Sequence, residues 1–352
     1  MARLVLIAPG RGSYNRSELA YFQRFQDHPH FQRRLDLLAQ ADRLRQEFGR
    51  PTVSSLDGAP NFRSGLHLPG ENASALIFTA TAADAALIHP QHETAAVLGN
   101  SMGWYGALFT GGALDFQQAF RVVDTMGSFQ KNNVQGGQLI YPIVDEDWRI
   151  DKEREASALE TATAVAARGS ESWVAVSIRL GGFLVFAGSE GGLGALMAAL
   201  PKLTLGSNDY PFKLAFHSAF HTPLMKDASD HGYRVLSEIT PSQPKVPMID
   251  GRGHIWRRYQ SDPKDLMRYT LVSQVLEPFD FTAAVRVALR EYNPDHLVLL
   301  GPGETLGGAI AHVMIDEGWR GLHSRADFVN AQQSERPPLI AMNRPDQAAR
   351  II

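Results

Sequence analysis

The chain's 352 residues suffice for one large domain, or for one domain carrying a smaller insertion. A hydrophobic fraction of 44% supports a real core, and a formal net charge of −3 excludes the marked basic excess of a dedicated nucleic-acid binder. The absence of cysteine removes disulfides, thiolate catalysis and cysteine-ligated metals, and no apolar run approaches the roughly 20 residues of a membrane span. Leu4-Val5-Leu6-Ile7 is too short for a signal-peptide core, so a cytoplasmic enzyme is expected.

In chain order, Arg3 to Ala8 reads as a strand closed by the turn Pro9-Gly10-Arg11-Gly12-Ser13. Ser17 to Phe25 and Phe31 to Phe48 carry apolar residues at helical spacing, and Ser54 to Asn72, rich in Gly, Pro and Ser, reads as a long surface connection. A helix from about Ala73 to Ile88 feeds the apolar run Thr94 to Leu98, a buried strand. Trp104 to Phe109 is a helix ended by Gly111-Gly112, and Asp115 caps a further helix, Phe116 to Phe129. The order so far opens an α/β domain.

After about Gln130 the texture changes. Strand Gln138 to Val144, helix Lys152 to Ala167, strands Trp173 to Ile178 and Phe183 to Ala187, helix Leu193 to Leu203 and strand Phe212 to Phe216 make a β-α-β-β-α-β order. That order is a ferredoxin-like unit, placed at 131–216 as an insertion between 1–130 and 217–352. Beyond it come helix Thr222 to Ile239, strand Val246 to Asp250, helices Pro263 to Leu276 and Phe281 to Tyr292, and strand His296 to Leu300. The tail from Gln333 reads as irregular.

The chemistry centres on Gly99-Asn100-Ser101-Met102-Gly103, which sits between a strand and a helix as a nucleophile elbow must. A Cβ at Gly99 or Gly103 would collide with the neighbouring turn, and the helix N-terminus directs backbone N–H groups and partial positive charge to an oxyanion beside Ser101. A serine nucleophile needs a base. Of the 12 histidines His221 stands where a strand gives way to a helix, at the same sheet edge as the elbow, whereas His217 belongs to the preceding strand. No histidine–carboxylate set has the spacing of a metal site.

The elbow, Phe220-His221-Thr222-Pro223-Leu224-Met225, the opening Ala8-Pro9-Gly10-Arg11-Gly12-Ser13, Leu300-Gly301-Pro302-Gly303 and Gln274-Val275-Leu276-Glu277-Pro278 together resemble the malonyl-CoA:acyl carrier protein transacylases and the acyltransferase domains of polyketide synthases. The resemblance implies an α/β-hydrolase-like core with an inserted ferredoxin-like subdomain and the site in the groove between them. It implies a Ser101–His221 pair whose histidine is oriented by a backbone carbonyl, and an oxyanion held by the backbone N–H groups of Met102 and Arg11. It also implies no bound cofactor: the substrate is the thioester of coenzyme A or phosphopantetheine, and the partner is an acyl carrier protein in fatty acid or polyketide synthesis.

Four positions depart from the family's pattern: Arg11 replaces Gln, Asn100 replaces His, Trp104 replaces Glu, and Met126 stands where malonyl-transferring members place an arginine. Arg121 is five residues away, at about 100° per residue, and lies off that face. A carboxylate without a partner is strongly disfavoured in a closed pocket, so the expected acyl group is neutral; the resemblance makes Ser218-Ala219-Phe220-His221 closest to the type that accepts an unbranched α-carbon, with Met126, Phe220, Asn100 and Gln274 forming the substrate pocket. Two alternatives stand beside it: a malonyl transferase in which Arg11 binds the carboxylate, and a stand-alone acyl-thioester hydrolase. A silent carrier-binding module fits poorly with retention of both Ser101 and His221, and an ordinary esterase with the lack of an HGGG-type motif. Arg252, Arg257 and Arg258 form a basic cluster, either a carrier contact or a solvated charge run.

Overall fold

In the computed structural model, which describes every residue except Gln130 and Asn132, Arg3–Ala8 forms β1 and buries both faces, Leu4 and Leu6 in one apolar cluster, Val5 and Ile7 in another. Such two-sided burial is what makes a central parallel strand read as an unbroken apolar run. The remaining strands are β2 (Glu93–Gly99), β3 (Gly137–Pro142), β4 (Val174–Leu180), β5 (Phe183–Gly188), β6 (Leu203–Leu205), β7 (Asn208–Tyr210), β8 (Phe212–Lys213), β9 (Met248–Ile249), β10 (Ile255–Trp256), β11 (Phe279–Asp280), β12 (His296–Leu299) and β13 (Leu339–Ala341). The larger sheet has the order β10-β9-β2-β1-β12-β13 and is parallel apart from the antiparallel edge strand β10.

The smaller sheet has the order β11-β4-β5-β3-β8. Its β3, β4, β5 and β8 pair antiparallel and, with helices Lys152–Ala166 and Glu190–Ala199, realise the β-α-β-β-α-β order of a ferredoxin-like unit. Both helices cover one face, where Ala158, Ala162, Val165, Leu193 and Leu196 pack on Leu139, Tyr141, Leu184 and Phe186. Strand β11 comes from the core portion of the chain and adds parallel to β4, so the two parts are sewn together by backbone bonds. The insertion boundary expected at Gln130 lies outside the described residues. No helix among the described residues is long and apolar enough to cross a membrane.

Several expected elements take another form. Ser17 to Phe25 is two short 3-10 turns, Arg16–Glu18 and Tyr21–Gln23, because the buried Asp57 carboxylate accepts the backbone N–H groups of Tyr21 and Phe22 and pulls the segment off a helical path. The supposed connection Ser54 to Asn72 contains helices Val53–Asp57 and Ser64–His67 and the start of helix Gly70–Ala85. The helix expected from Thr222 is a 3-10 turn, Pro223–Met225, followed by Lys226–Val235. The segment Pro263 to Leu276 widens into a π-helical turn at Tyr269–Ser273, where Trp104 Nε1–H donates to Thr270 Oγ1 at 2.9 Å. The tail is not irregular: β13 joins the large sheet beside β12, and helices Gly307–Asp316 and Arg325–Gln332 precede it.

Candidate active site

The turn after β2 fixes Ser101. Asn100 N–H donates to Ala8 O on β1 at 3.0 Å, and Gly103 N–H to Asn100 O at 2.7 Å. Ser101 is left with φ of +53°, in the left-handed region. A Cβ on Gly99 would lie 2.1 Å from the Gly103 carbonyl, and one on Gly103 2.2 Å from Ala8 O, so both glycines are sterically required. Trp104 and Tyr105 spend their amides on Ser101 O and Met102 O, and no such bond uses the amide of Met102 among the described residues. The turn after β1 runs against the elbow, since a Cβ on Gly10 would lie 2.6 Å from Asn100 O. This contact brings the turn that holds Arg11 beside the elbow.

Ser101 Oγ and His221 Nε2 are 2.7 Å apart, and His221 Nδ1–H donates to the carbonyl of Gln274 at 2.6 Å. The Gln274 side chain turns back and donates from Nε2 to Ser101 O at 3.0 Å. One residue therefore orients the imidazole through its main chain and braces the elbow through its amide, a role beyond the pocket wall expected for it. Burial draws the His221 imidazole down to about 4, with the Gln274 carbonyl bond acting weakly in the opposite direction. The ring is thus a neutral acceptor at physiological pH, positioned to take the Ser101 proton.

A cavity of about 60 Å³ opens beside this pair. Arg11, Met126, Phe220 and Gln274 line it with Ser101, Met102 and His221, as the sequence places them. Asn100 is a correction: it does not line the cavity, because its buried side chain lies against Gly10 beneath the turn. Sequence reasoning missed Ser74, Tyr105, Met225, Ala228 and Val275 in the wall. Tyr105 lies in the first turn of helix Gly103–Thr110, directly after the elbow. Ser74, on helix Gly70–Ala85, has no local signal.

Arg11 contributes more than an amide. Its Nη2 donates to Leu68 O at 3.1 Å and Phe216 O at 2.6 Å, and its guanidinium lies 5.5 Å from the Phe220 ring centroid. Burial lowers its pKa to about 10, which leaves it cationic at neutral pH. His217 does not approach Ser101; its Nδ1–H donates to Gln138 Oε1 at 2.7 Å. Of the basic cluster, Arg252 is paired with buried Asp250 at 2.7 Å and stacked on Tyr269, so its charge is spent internally.

No family model matches the chain. A malonyl CoA-acyl carrier protein transacylase of Escherichia coli O157:H7 is 27% identical over 228 residues, 64% of this chain and 68% of that protein. The malonyl-CoA:acyl carrier protein transacylase structure from Xanthomonas oryzae superposes with a TM-score of 0.74 at 20% identity, covering 99% of this chain and 97% of that one. A malonyl-transacylase solved in complex with its type II polyketide synthase acyl carrier protein gives 0.72 at 20% identity, over 99% and 98% of the two chains. The chain is similar in sequence to the malonyl-CoA:acyl carrier protein transacylases and has their fold.

Proposed function

We propose that this chain transfers an acyl group from a coenzyme A thioester, through Ser101, to the phosphopantetheine thiol of an acyl carrier protein, and that the acyl group is malonyl. The observation that carries the reading is Arg11 in the lining of the cavity that holds Ser101 and His221, its guanidinium 5.5 Å from the ring centroid of Phe220, which also lines it. The expectation of a neutral acyl group assumed a pocket without a cation. Arg11 supplies one, and the names of the relatives favour the same substrate. The Nη2 hydrogens of Arg11 are given to Leu68 O and Phe216 O, so Arg11 would favour a carboxylate by its charge, a part that Met126 cannot take.

His221 Nε2 accepts the Ser101 proton as Oγ attacks the thioester carbonyl, and the Gln274 carbonyl stabilises the imidazolium through Nδ1–H. The backbone N–H groups of Met102 and Arg11 hold the tetrahedral oxyanion. Collapse expels the thiolate, which takes the proton from Nε2, and leaves an ester on Ser101. The carrier's thiol then gives its proton to Nε2 and attacks the ester, which makes the kinetics ping-pong.

The test is kcat/KM for malonyl-CoA and acetyl-CoA on wild type, Arg11→Gln and the double variant Arg11→Gln/Met126→Arg. The wild type is expected to prefer malonyl, Arg11→Gln to lose malonyl activity on the order of 10²-fold, and the second substitution to restore it. A wild type that prefers acetyl supports the second reading, a neutral acyl transferase, which the apolar wall of Met126, Met225 and Val275 favours. Turnover to free acid without carrier would make the chain a hydrolase.

A further inference from the structure

The loop that carries His221 is built on two non-glycine residues in the left-handed region, Phe216 at φ +59° and His221 at φ +59°. Such a backbone persists only where its surroundings over-determine it. The surroundings here are a chain of side chains that runs from this loop onto the smaller sheet. His217 Nδ1–H donates to Gln138 Oε1 at 2.7 Å, Gln138 Nε2–H to Ser177 Oγ at 2.7 Å, and the Ser177 hydroxyl to Phe220 O at 2.8 Å. Gln138 is 2% exposed and Ser177 0%, so the bond between them is shielded from water. The last acceptor is the carbonyl of the peptide that leads into His221.

Ser177 reaches that carbonyl because β4 is irregular there. Val176 pairs with Phe186 and Ile178 with Val185, so Ser177 is the extra residue of a bulge between them. A bulge re-aims one side chain at the expense of ladder regularity and is a common device beside active sites. The donors all run one way, from His217 to Phe220 O, an arrangement in which each bond polarises the next.

We propose that Ser177 and Gln138, backed by His217, are positioning residues for the His221 imidazole, holding the Phe220–His221 peptide so that Nε2 meets Ser101 Oγ. The proposal rests on the Ser101–His221 reading above. It assigns the smaller subdomain a part in catalysis: it sets the angle of the base as well as walling the groove.

The experiment is single-turnover acylation, quenched and read by intact mass, with whichever of malonyl-CoA and acetyl-CoA labels the wild type faster. Ser177→Ala should lower the acylation rate constant roughly ten- to a hundredfold, while the thioester concentration for half-saturation stays within about twofold, because only the geometry of the base has moved. Ser177→Thr, which keeps the hydroxyl, should return most of the rate. Gln138→Leu leaves the Ser177 bond to Phe220 but removes its support, and should show the same split in smaller measure; it also serves as the test should Ser177→Ala not fold. Wild-type labelling by Ser177→Ala and Gln138→Leu, or a loss that Ser177→Thr does not rescue, overturns the proposal. Ser101→Ala separates the two readings: if it still acquires the acyl group, the acyl-enzyme itself is wrong, whereas a dead Ser101→Ala beside an unaffected Ser177→Ala removes only the positioning role.

Discussion

At the nucleophile, Ser101 bears strain that its neighbours make unavoidable, with φ of +53° between two glycines that admit no Cβ. Ser101→Ala removes only the hydroxyl and is expected to fold with an unchanged thermal midpoint while forming no acyl adduct by intact mass. Gly103→Ala is the opposite case. Its Cβ would meet Ala8 O at 2.2 Å, a contact with β1 backbone that cannot rotate away. A loss of about 3 kcal/mol or more is expected in urea unfolding, and near-wild-type stability would show that the elbow is looser than its geometry implies. His221→Ala should lower acylation by roughly 10²–10⁴, since neutral serine is a weak nucleophile without its base, and the His217→Ala change should cost less. If His217→Ala proves the more damaging, the imidazole paired with Ser101 has been misassigned.

Among the elements, the elbow and the segment after it were legible because their requirements are local. Gly-x-Ser-x-Gly between an apolar strand and a helix records steric needs within five residues, and helices Phe116–Phe129 and Phe281–Tyr292 show their periodicity directly. What stayed hidden depends on contacts between distant segments. Arg11 was expected at the site, but the anchoring of its side chain on Phe216 O, 205 residues away, was not. Gln274 faces Ser101 from just beyond the π-helical turn at Tyr269–Ser273, whose extra residue has no signature in hydrophobic spacing. β13 is three residues long, too short for a period, and is recognisable only once β12 is beside it. The double use of Gln274 can be tested within its element. Gln274→Leu keeps the carbonyl that holds His221 but loses the Nε2–H bond to Ser101 O, a net loss of about 1 kcal/mol. Acylation should fall about fivefold with the same pH profile; a loss as large as that of His221→Ala would mean that the amide contacts the reacting atoms.

Over the whole molecule, three histidines of lowered pKa, His217, His221 and His312, stand where the smaller sheet meets the core. His221 and His217 sit on the loop returning from β8. His312, on helix Gly307–Asp316, accepts Gly182 N–H from the β4–β5 turn at 3.2 Å and lies edge-on to Trp148. Burial draws His221 and His312 down to about 4, and burial with the charges of Arg11 and His221 lowers His217 well below the ordinary range. The sign follows from the depressed values. The unfolded chain takes up protons below about 6.5 while the folded one refuses them until about 4, so stability is fully present above 6.5 and is lost as pH falls between those limits. Each of His221 and His312 can contribute on the order of 3 kcal/mol to that loss. Because all three rings lie at the seam, protonation should part the smaller subdomain from the core before either sheet melts. The measurement is the urea midpoint at pH 7.5 and at pH 4.5, on wild type and on His312→Gln, whose amide oxygen can still accept from Gly182 but cannot titrate. His312→Gln should recover a distinct part of the acid loss while leaving the neutral-pH midpoint little changed. An identical acid loss in both proteins would place the sensitivity in the carboxylates, and the seam would then owe its closure to packing alone.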